Sequence, residues 1–187
     1  MVAIVKVLVN GFIDLDKYRG WSSTSLVLDK DIVMVLDPGT VYDPNEITEA
    51  LKKEGFSVGD INYVCISHSH SDHYRNIGMF PKAKSVDFWG IWDKDKLISK
   101  EWNCEFSENI YVMKTPGHNY DGITIFVKTK KGTIALCGDV FWREDYPEEG
   151  KDPFAQDQQL LSQSRKKVIE KADWIVPGHD KIFKVKK

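Results

Sequence analysis

The chain has 187 residues, 42% hydrophobic and 12% aromatic, which is enough to bury a sizeable core without added staples and is read as one domain spanning 1–187. A formal net charge of -2 provides no global field to attract nucleic acid or anionic lipid, and three cysteines without paired spacing argue against a secreted disulfide framework. Met1-Val2-Ala3-Ile4-Val5-Lys6 carries neither a basic leader nor a long apolar run, so a cytoplasmic protein with no membrane partner is expected.

In chain order, residues 1–12 read as a first strand, and 25–28 with 32–36 as a hairpin turned by Asp29-Lys30-Asp31. The second arm runs into Asp37-Pro38-Gly39. Asp43-Pro44-Asn45-Glu46 supplies an N-cap, a proline at the first helical position and an acid in the first turn, which predicts a helix that Gly55 ends and that buries Ile47, Ala50 and Leu51. Apolar runs at 63–66, 110–113, 133–136 and 174–176 then lead into His68, His118, Asp139 and His179 respectively, each through a Gly, Pro or Ser break. Glycine at 117, 138 and 178 lets the backbone bend sharply or approach a bound ion. A second helix is predicted over about 156–171, with Leu160, Leu161, Val168 and Ile169 facing inward. Cys65 and Cys137 lie inside apolar runs and read as small buried hydrophobes.

All five histidines fall in three stretches, His68-Ser69-His70-Ser71-Asp72-His73, Thr115-Pro116-Gly117-His118 and Val176-Pro177-Gly178-His179. A lone Gly-His turn is an ordinary loop, but four ligand types in six residues, followed by two such turns and a Gly-Asp, are not. In an extended segment His68 and His70 point the same way and can grip one ion, while Asp72 and His73, where the chain turns, aim at a second position. With Asp139, seven ligand-type residues are present, more than one tetrahedral zinc takes, so two divalent ions are expected. Strand ends meeting at a common rim are a usual place for such a site.

A strand-ending Asp37, the His-x-His-x-Asp-His run at 68–73, and later single His118, Asp139 and His179 resemble the metallo-β-lactamase superfamily over nearly the whole chain. The resemblance implies an α/β fold, the four-layer αββα sandwich, which periodicity alone does not select over other layered α/β arrangements. It further implies that His68, His70 and His118 hold one ion, that Asp72, His73 and His179 hold the other, that Asp139 bridges them, and that Asp37 supports the site without binding metal. True β-lactamases commonly carry Cys where Asp139 stands, so antibiotic hydrolysis is not expected. Gly138-Asp139-Val140-Phe141, Ser162-Gln163-Ser164-Arg165-Lys166-Lys167-Val168 and the run 172–179 are similar to an animal branch of the superfamily linked to RNA cleavage.

Two adjacent cations can share a water, lower its pKa toward ~7 and present hydroxide to an ester-type bond, with Asp72 orienting the water and Asp139 fixing the metal separation. Zinc suits the nitrogen-rich set, and iron or manganese is admitted by the mixed ligands. Three readings of function follow. Hydrolysis of an RNA phosphodiester would use Arg165, Lys166, Lys167, Lys181, Lys184, Lys186 and Lys187, against only four arginines and the acids Glu144, Asp145, Glu148 and Glu149. Hydrolysis of a small thioester or lactone needs no basic footprint, and a non-hydrolytic iron protein, redox or sensor, would need a partner thiol or carrier that is not visible. The chain ends eight residues after His179, so selectivity is expected from loops or a partner subunit. Tyr120, Trp21, Trp92 and Trp142 are the candidates for substrate contact, with core packing or a homodimer interface as the alternative for the tryptophans and turn-shaping for Thr115 and Asn119.

Overall fold

Alternation along the strands decides how the layers stack, because successive side chains point to opposite faces of a sheet. In the computed structural model, which describes residues 2–144 and 152–186, seven strands form one sheet in the order β1 (Ile4–Val9), β4 (Thr24–Asp29), β5 (Ile32–Leu36), β6 (Tyr63–Cys65), β7 (Lys84–Asp87), β8 (Gly90–Asp93), β9 (Lys96–Ser99). Six strands form a second sheet in the order β10 (Cys104–Glu105), β11 (Ile110–Lys114), β12 (Ile123–Thr129), β13 (Gly132–Leu136), β14 (Trp174–Val176), β15 (Phe183–Lys184). Val27, Met34, Leu36, Cys65 and Val86 of the first sheet share a buried cluster with Ile110, Val112, Ile125, Leu136 and Val176 of the second. Leu26, Val35 and Val64 point the other way, onto Ile47 and Leu51 of α1 (Asn45–Lys53). Met113, Phe126, Ala135 and Ile175 point onto Leu161 and Val168 of the long helix at Gln158–Lys171. The layers are therefore helix, sheet, sheet, helix, the αββα sandwich.

Most neighbouring strands are antiparallel, but β5, β6 and β7 run parallel to one another, as do β13 and β14. Parallel pairing sends the ends of β5, β6, β13 and β14 to one rim, and the ligand-type residues follow those ends. A separate hairpin, β2 (Phe12–Asp14) with β3 (Arg19–Trp21), follows β1, which stops at Val9 and not at residue 12 as the sequence suggested. The first helix begins as the sequence predicted: the Asp43 carboxylate accepts from the Asn45 N–H at 2.9 Å, and Glu46 reaches back to the Asp43 N–H at 3.3 Å. Between β6 and β7 a single helical turn, α2 (Ser71–Tyr74), carries Asp72 and His73. The long helix, now α3, starts two residues later than expected because Asp157 accepts from the N–H groups of Gln159 and Leu160.

The buried face of α3 differs from the one read in the sequence. Leu161 and Val168 are fully buried, whereas Leu160 and Ile169 are each 40% exposed. The stripe is completed at i+3 and i+4 by Ser164 and Arg165, two polar residues with buried tasks. Ser164 Oγ donates to the Pro116 carbonyl at 2.7 Å, and Arg165 Nε donates to the Val140 carbonyl at 2.8 Å with its guanidinium over the Phe141 ring. Arg165 is thus withdrawn from the basic cluster, while Lys166 and Lys167 stay exposed. Cys65 and Cys137 are buried and free, and burial pushes both thiols well up. No helix among the described residues is long and apolar enough to cross a membrane. Asp145, Glu148, Glu149 and Lys187 lie outside the described residues.

The corrected helix face gives a direct expectation. Leu161→Ala should lower unfolding free energy by about 2–5 kcal/mol, and Leu160→Ala by no more than about 0.5 kcal/mol, as read from urea denaturation midpoints.

Candidate metal centre

Main-chain hydrogen bonds knit the loops of the rim together before any side chain is considered. The Ile123 N–H donates to the Ser67 carbonyl at 2.8 Å, joining the His68 loop to the end of the His118 loop. Gly178 and His179 N–H groups donate to the carbonyls of Phe141 and Trp142 at 2.8 and 2.9 Å, and Ser23 N–H to Gly178 at 2.6 Å. Gly178 must be glycine here, because a Cβ on it would lie 1.9 Å from Asp139 Oδ1. Gly117, at a φ of 136°, lets its loop press against the backbone of Leu161 on α3.

Two groups of donor atoms converge on this frame, His68, His70, His118 and Asp139 in one, and Asp72, His73 and His179 in the other, each within 4.8 Å. Asp139 lies between them. Its Oδ2 is 3.3 Å from His118 Nε2, and its Oδ1 is 3.2 Å from both His73 Nε2 and His179 Nε2. Asp72 Oδ2 completes the second group at 3.5 Å from His179 Nε2 and 3.9 Å from His73 Nε2. His70 differs from the other imidazoles in turning its Nδ1 inward, 3.0 Å from His118 Nε2.

The Nδ1 atoms of His68, His73, His118 and His179 are held from behind, which fixes which nitrogen of each faces the centre. His179 Nδ1 donates to the Trp21 carbonyl at 3.0 Å, and a carbonyl can only accept, so in the neutral ring it is Nε2 that carries the lone pair. His73 Nδ1 bonds Asp37 at 2.9 Å, and His118 Nδ1 bonds Asp152 at 2.6 Å. Ser67 Oγ gives its proton to Asp37 at 2.7 Å and is left to accept from His68 Nδ1 at 3.1 Å. Asp37 sits at a φ of 48°, a strained position for a non-glycine residue, with its other oxygen on the Ser67 N–H at 2.7 Å and its carbonyl on Thr24 Oγ1 at 2.8 Å.

Charge in the centre follows from burial and proximity. Burial pushes the His68 imidazole well below its ordinary value. Burial also opposes the charged form of His73, yet Asp139 and Asp37 together hold it well above the ordinary value, and Asp139 does the same more gently for His179. Against its own burial, Asp139 is held well below the usual carboxylate range by His179 and His73. His68 Nε2, His73 Nε2 and Asp139 Oδ1 are buried without a hydrogen-bond partner. An unsatisfied buried polar atom costs about 1–3 kcal/mol, and three of them distributed over the two donor groups fit divalent cations better than they fit one another.

All seven residues read as ligands from the sequence are brought together, and Asp37 stands behind them. The aromatic candidates divide. Trp142 is buried, its ring centroid 6.0 Å from that of His118 and 5.9 Å from that of His179, with Phe154 stacked on it at 5.6 Å. The cleft over the centre, about 330 Å³, is lined among the described residues by Ile13, His70, Asp72, His118, Asp139, Trp142, Phe154 and His179. Trp21 contributes its carbonyl and stacks on Phe12; Trp92 gives its indole N–H to Asp87; Tyr120 is 58% exposed beside Gln156, and none of these three lines the cleft. Asn119 and Thr115 shape the turn, Asn119 bonding Ser69 Oγ and Thr115 pairing with Thr124. Sequence reasoning missed Asp152, Ser67, Phe154 and Ile13. The one available signal was Asp152-Pro153, a turn-type pair closing an acidic stretch that reads as solvated surface.

Comparison with known proteins agrees with this geometry. A family profile described as the metallo-beta-lactamase superfamily matches residues 18–111. Metallo-beta-lactamase domain-containing protein 1 of Xenopus laevis is 26% identical over 191 residues, covering 97% of this chain and 81% of its own length. The Homo sapiens protein of the same name is 32% identical, covering 81% of this chain, which spans about three-fifths (59%) of that relative. Among solved structures, a Thermotoga maritima protein provisionally described as a metallo-beta-lactamase superposes with a TM-score of 0.76 at 22% identity, covering 98% of this chain and 100% of that one. An N-acyl homoserine lactone hydrolase, with the product N-hexanoyl-L-homoserine bound at its catalytic metal center, superposes with a TM-score of 0.71 at 16% identity, covering 96% and 94%.

Two outcomes are expected. Gly178→Ala should reduce the metal content of purified protein by roughly half or more, measured by elemental analysis, since its methyl displaces the shared carboxylate. Because His73 and His179 hold protons more tightly than the usual ~6.5 value, zinc added to chelator-treated protein should release protons, and apparent affinity should weaken steadily as pH falls from about 8 to about 6 in calorimetric titrations.

Proposed function

Since the chain belongs to the metallo-beta-lactamase superfamily and is a metal-dependent hydrolase of that group, we propose that its substrate is a small carbonyl ester, thioester or lactone, hydrolysed at a two-ion centre. The observation that carries this reading is the cleft. Its floor is the donor cluster and its walls are Ile13, Trp142 and Phe154, in a volume suited to a small acyl compound. The lactone hydrolase with which the chain shares its fold binds an acylated product at its own catalytic metal center, and the likeness to it is one of fold.

Bound divalent ions would supply an acidified water and an electrophile for the carbonyl oxygen. The nitrogen-rich set of His68, His70 and His118 suits zinc. No serine, threonine or cysteine is among the described residues lining the cleft, so the nucleophile comes from solvent. Asp72 is the half-buried carboxylate of the centre, with its side chain 35% accessible, and an oxygen not engaged with His179 is free to accept a proton from the attacking water and orient it. Asp139, wholly enclosed, keeps the two donor groups at a fixed spacing. Trp142 and Phe154 exclude water from the carbonyl and offer a flat apolar surface to the acyl chain.

The polynucleotide reading loses part of its support to burial and pairing. Arg165 is committed to the Val140 carbonyl, and Lys186 pairs with Glu144 at 2.7 Å. A thiol-based form of the redox reading loses support, because Cys137, next to Gly138, is buried with its Sγ toward the Val176 carbonyl.

Asp72→Asn should cut kcat on a short acyl thioester by about 10²-fold or more with little change in KM. Trp142→Ala should raise KM for a hexanoyl ester more than for an acetyl ester, read from steady-state kinetics on both. Cleavage of a labelled RNA oligonucleotide that weakens steeply with salt, with no turnover on any ester, would replace this reading by the phosphodiesterase one.

A further inference from the structure

Each of the two donor groups has one carboxylate behind one of its imidazoles. Behind His73 it is Asp37, part of the motif read in the sequence. Behind His118 it is Asp152, which belongs to no motif and is 1% exposed. Resting on the reading of the site as a two-ion centre, we propose that Asp152 is a positioning residue for the ion position formed by His68, His70 and His118.

The case is geometric. Asp152 Oδ2 lies 2.6 Å from His118 Nδ1, with both side chains removed from solvent. A carboxylate in that place holds the neutral imidazole with Nδ1 protonated and the Nε2 lone pair directed inward, and it makes Nε2 a stronger donor. That Nε2 is the atom 3.3 Å from Asp139 Oδ2 and 3.0 Å from His70 Nδ1. The hydroxyl behind His68 and the carbonyl behind His179 are neutral and do this more weakly.

Asp152 is itself held on several sides. Its second oxygen accepts from the Phe154 N–H at 2.9 Å, its N–H donates to Gln158 Oε1 at 3.2 Å, and its carbonyl accepts from Gln158 Nε2. The segment then returns to the His118 loop, with Gln156 and Asp157 N–H groups donating to the carbonyls of His118 and Gly117 at 3.1 and 2.9 Å. Between these anchors Phe154 is delivered onto Trp142. One short segment therefore orients a metal-facing imidazole and builds the substrate wall.

The test is zinc titration of chelator-treated wild type, Asp152→Asn and Gln158→Ala against a chromophoric competitor, with cobalt(II) absorption spectra of the same proteins. Asp152→Asn should weaken one of the two binding steps by about 10- to 100-fold and alter part of the cobalt d–d envelope, leaving the other step unchanged. Gln158→Ala, at an exposed position that should not impair folding, should weaken the same step to a smaller degree. Wild-type affinities and an unaltered cobalt spectrum in both variants would overturn the proposal, and should Asp152→Asn fail to fold, Gln158→Ala decides alone. Uptake of fewer than two ions by the wild-type protein would instead overturn the two-ion reading beneath it.

Discussion

A single carboxylate, that of Asp139, sits almost wholly out of water between imidazoles from three separate loops, and the rest of the rim is arranged around that fact. A lone buried anion carries a desolvation penalty of several kcal/mol, so it persists only where positive or electron-accepting partners meet it from every side. His73, His118 and His179 do so at 3.2–3.3 Å. The missing side chain at Gly178 leaves the room in which the carboxylate stands, and Arg165, reaching from α3 to the Val140 carbonyl, fixes the backbone beside it.

The inner donors were legible in the sequence because their signal is local. His68, His70, Asp72 and His73 lie within six consecutive residues, and His118, Asp139 and His179 each follow an apolar run within five residues or fewer. The strands at Ile32–Leu36, Tyr63–Cys65, Gly132–Leu136 and Trp174–Val176 likewise show in the sequence as short apolar runs, whereas β12 was not picked out. What lay outside local reach was everything supplied across the fold. The Trp21 carbonyl has no side-chain signature, Ser67 is an unremarked serine, and Asp152 is masked by neighbouring acids whose ordinary role is solvation.

The misjudged face of α3 has a related cause. Leu160-Leu161 and Val168-Ile169 are adjacent apolar pairs, so hydrophobicity alone leaves the helix free to rotate by one residue, about 100°. Polar contacts break the tie. Ser164 and Arg165 must face inward to reach Pro116 and Val140, and that rotation buries Leu161 and Val168 while exposing their partners. The aromatic candidates were undecided for a similar reason: an indole signals its size but not its destination, and Trp142 turned toward the cleft while Trp92 turned to Asp87 on its own sheet.

The two sheets are drawn from consecutive lengths of chain, the first from Ile4–Ser99 and the second from Cys104–Lys184. His68, His70, Asp72 and His73 come from the former, and His118, Asp139 and His179 from the latter. Neither half alone assembles either donor group. During synthesis on a ribosome the front half emerges with its imidazoles exposed and incomplete: the group begun by His68 and His70 closes only once His118 and Asp139 have followed, and the group begun by Asp72 and His73 only once His179 has. A cation bound at this seam would act as a rivet between the halves, and the supply of metal in the surrounding medium would then also set how firmly the molecule stays shut.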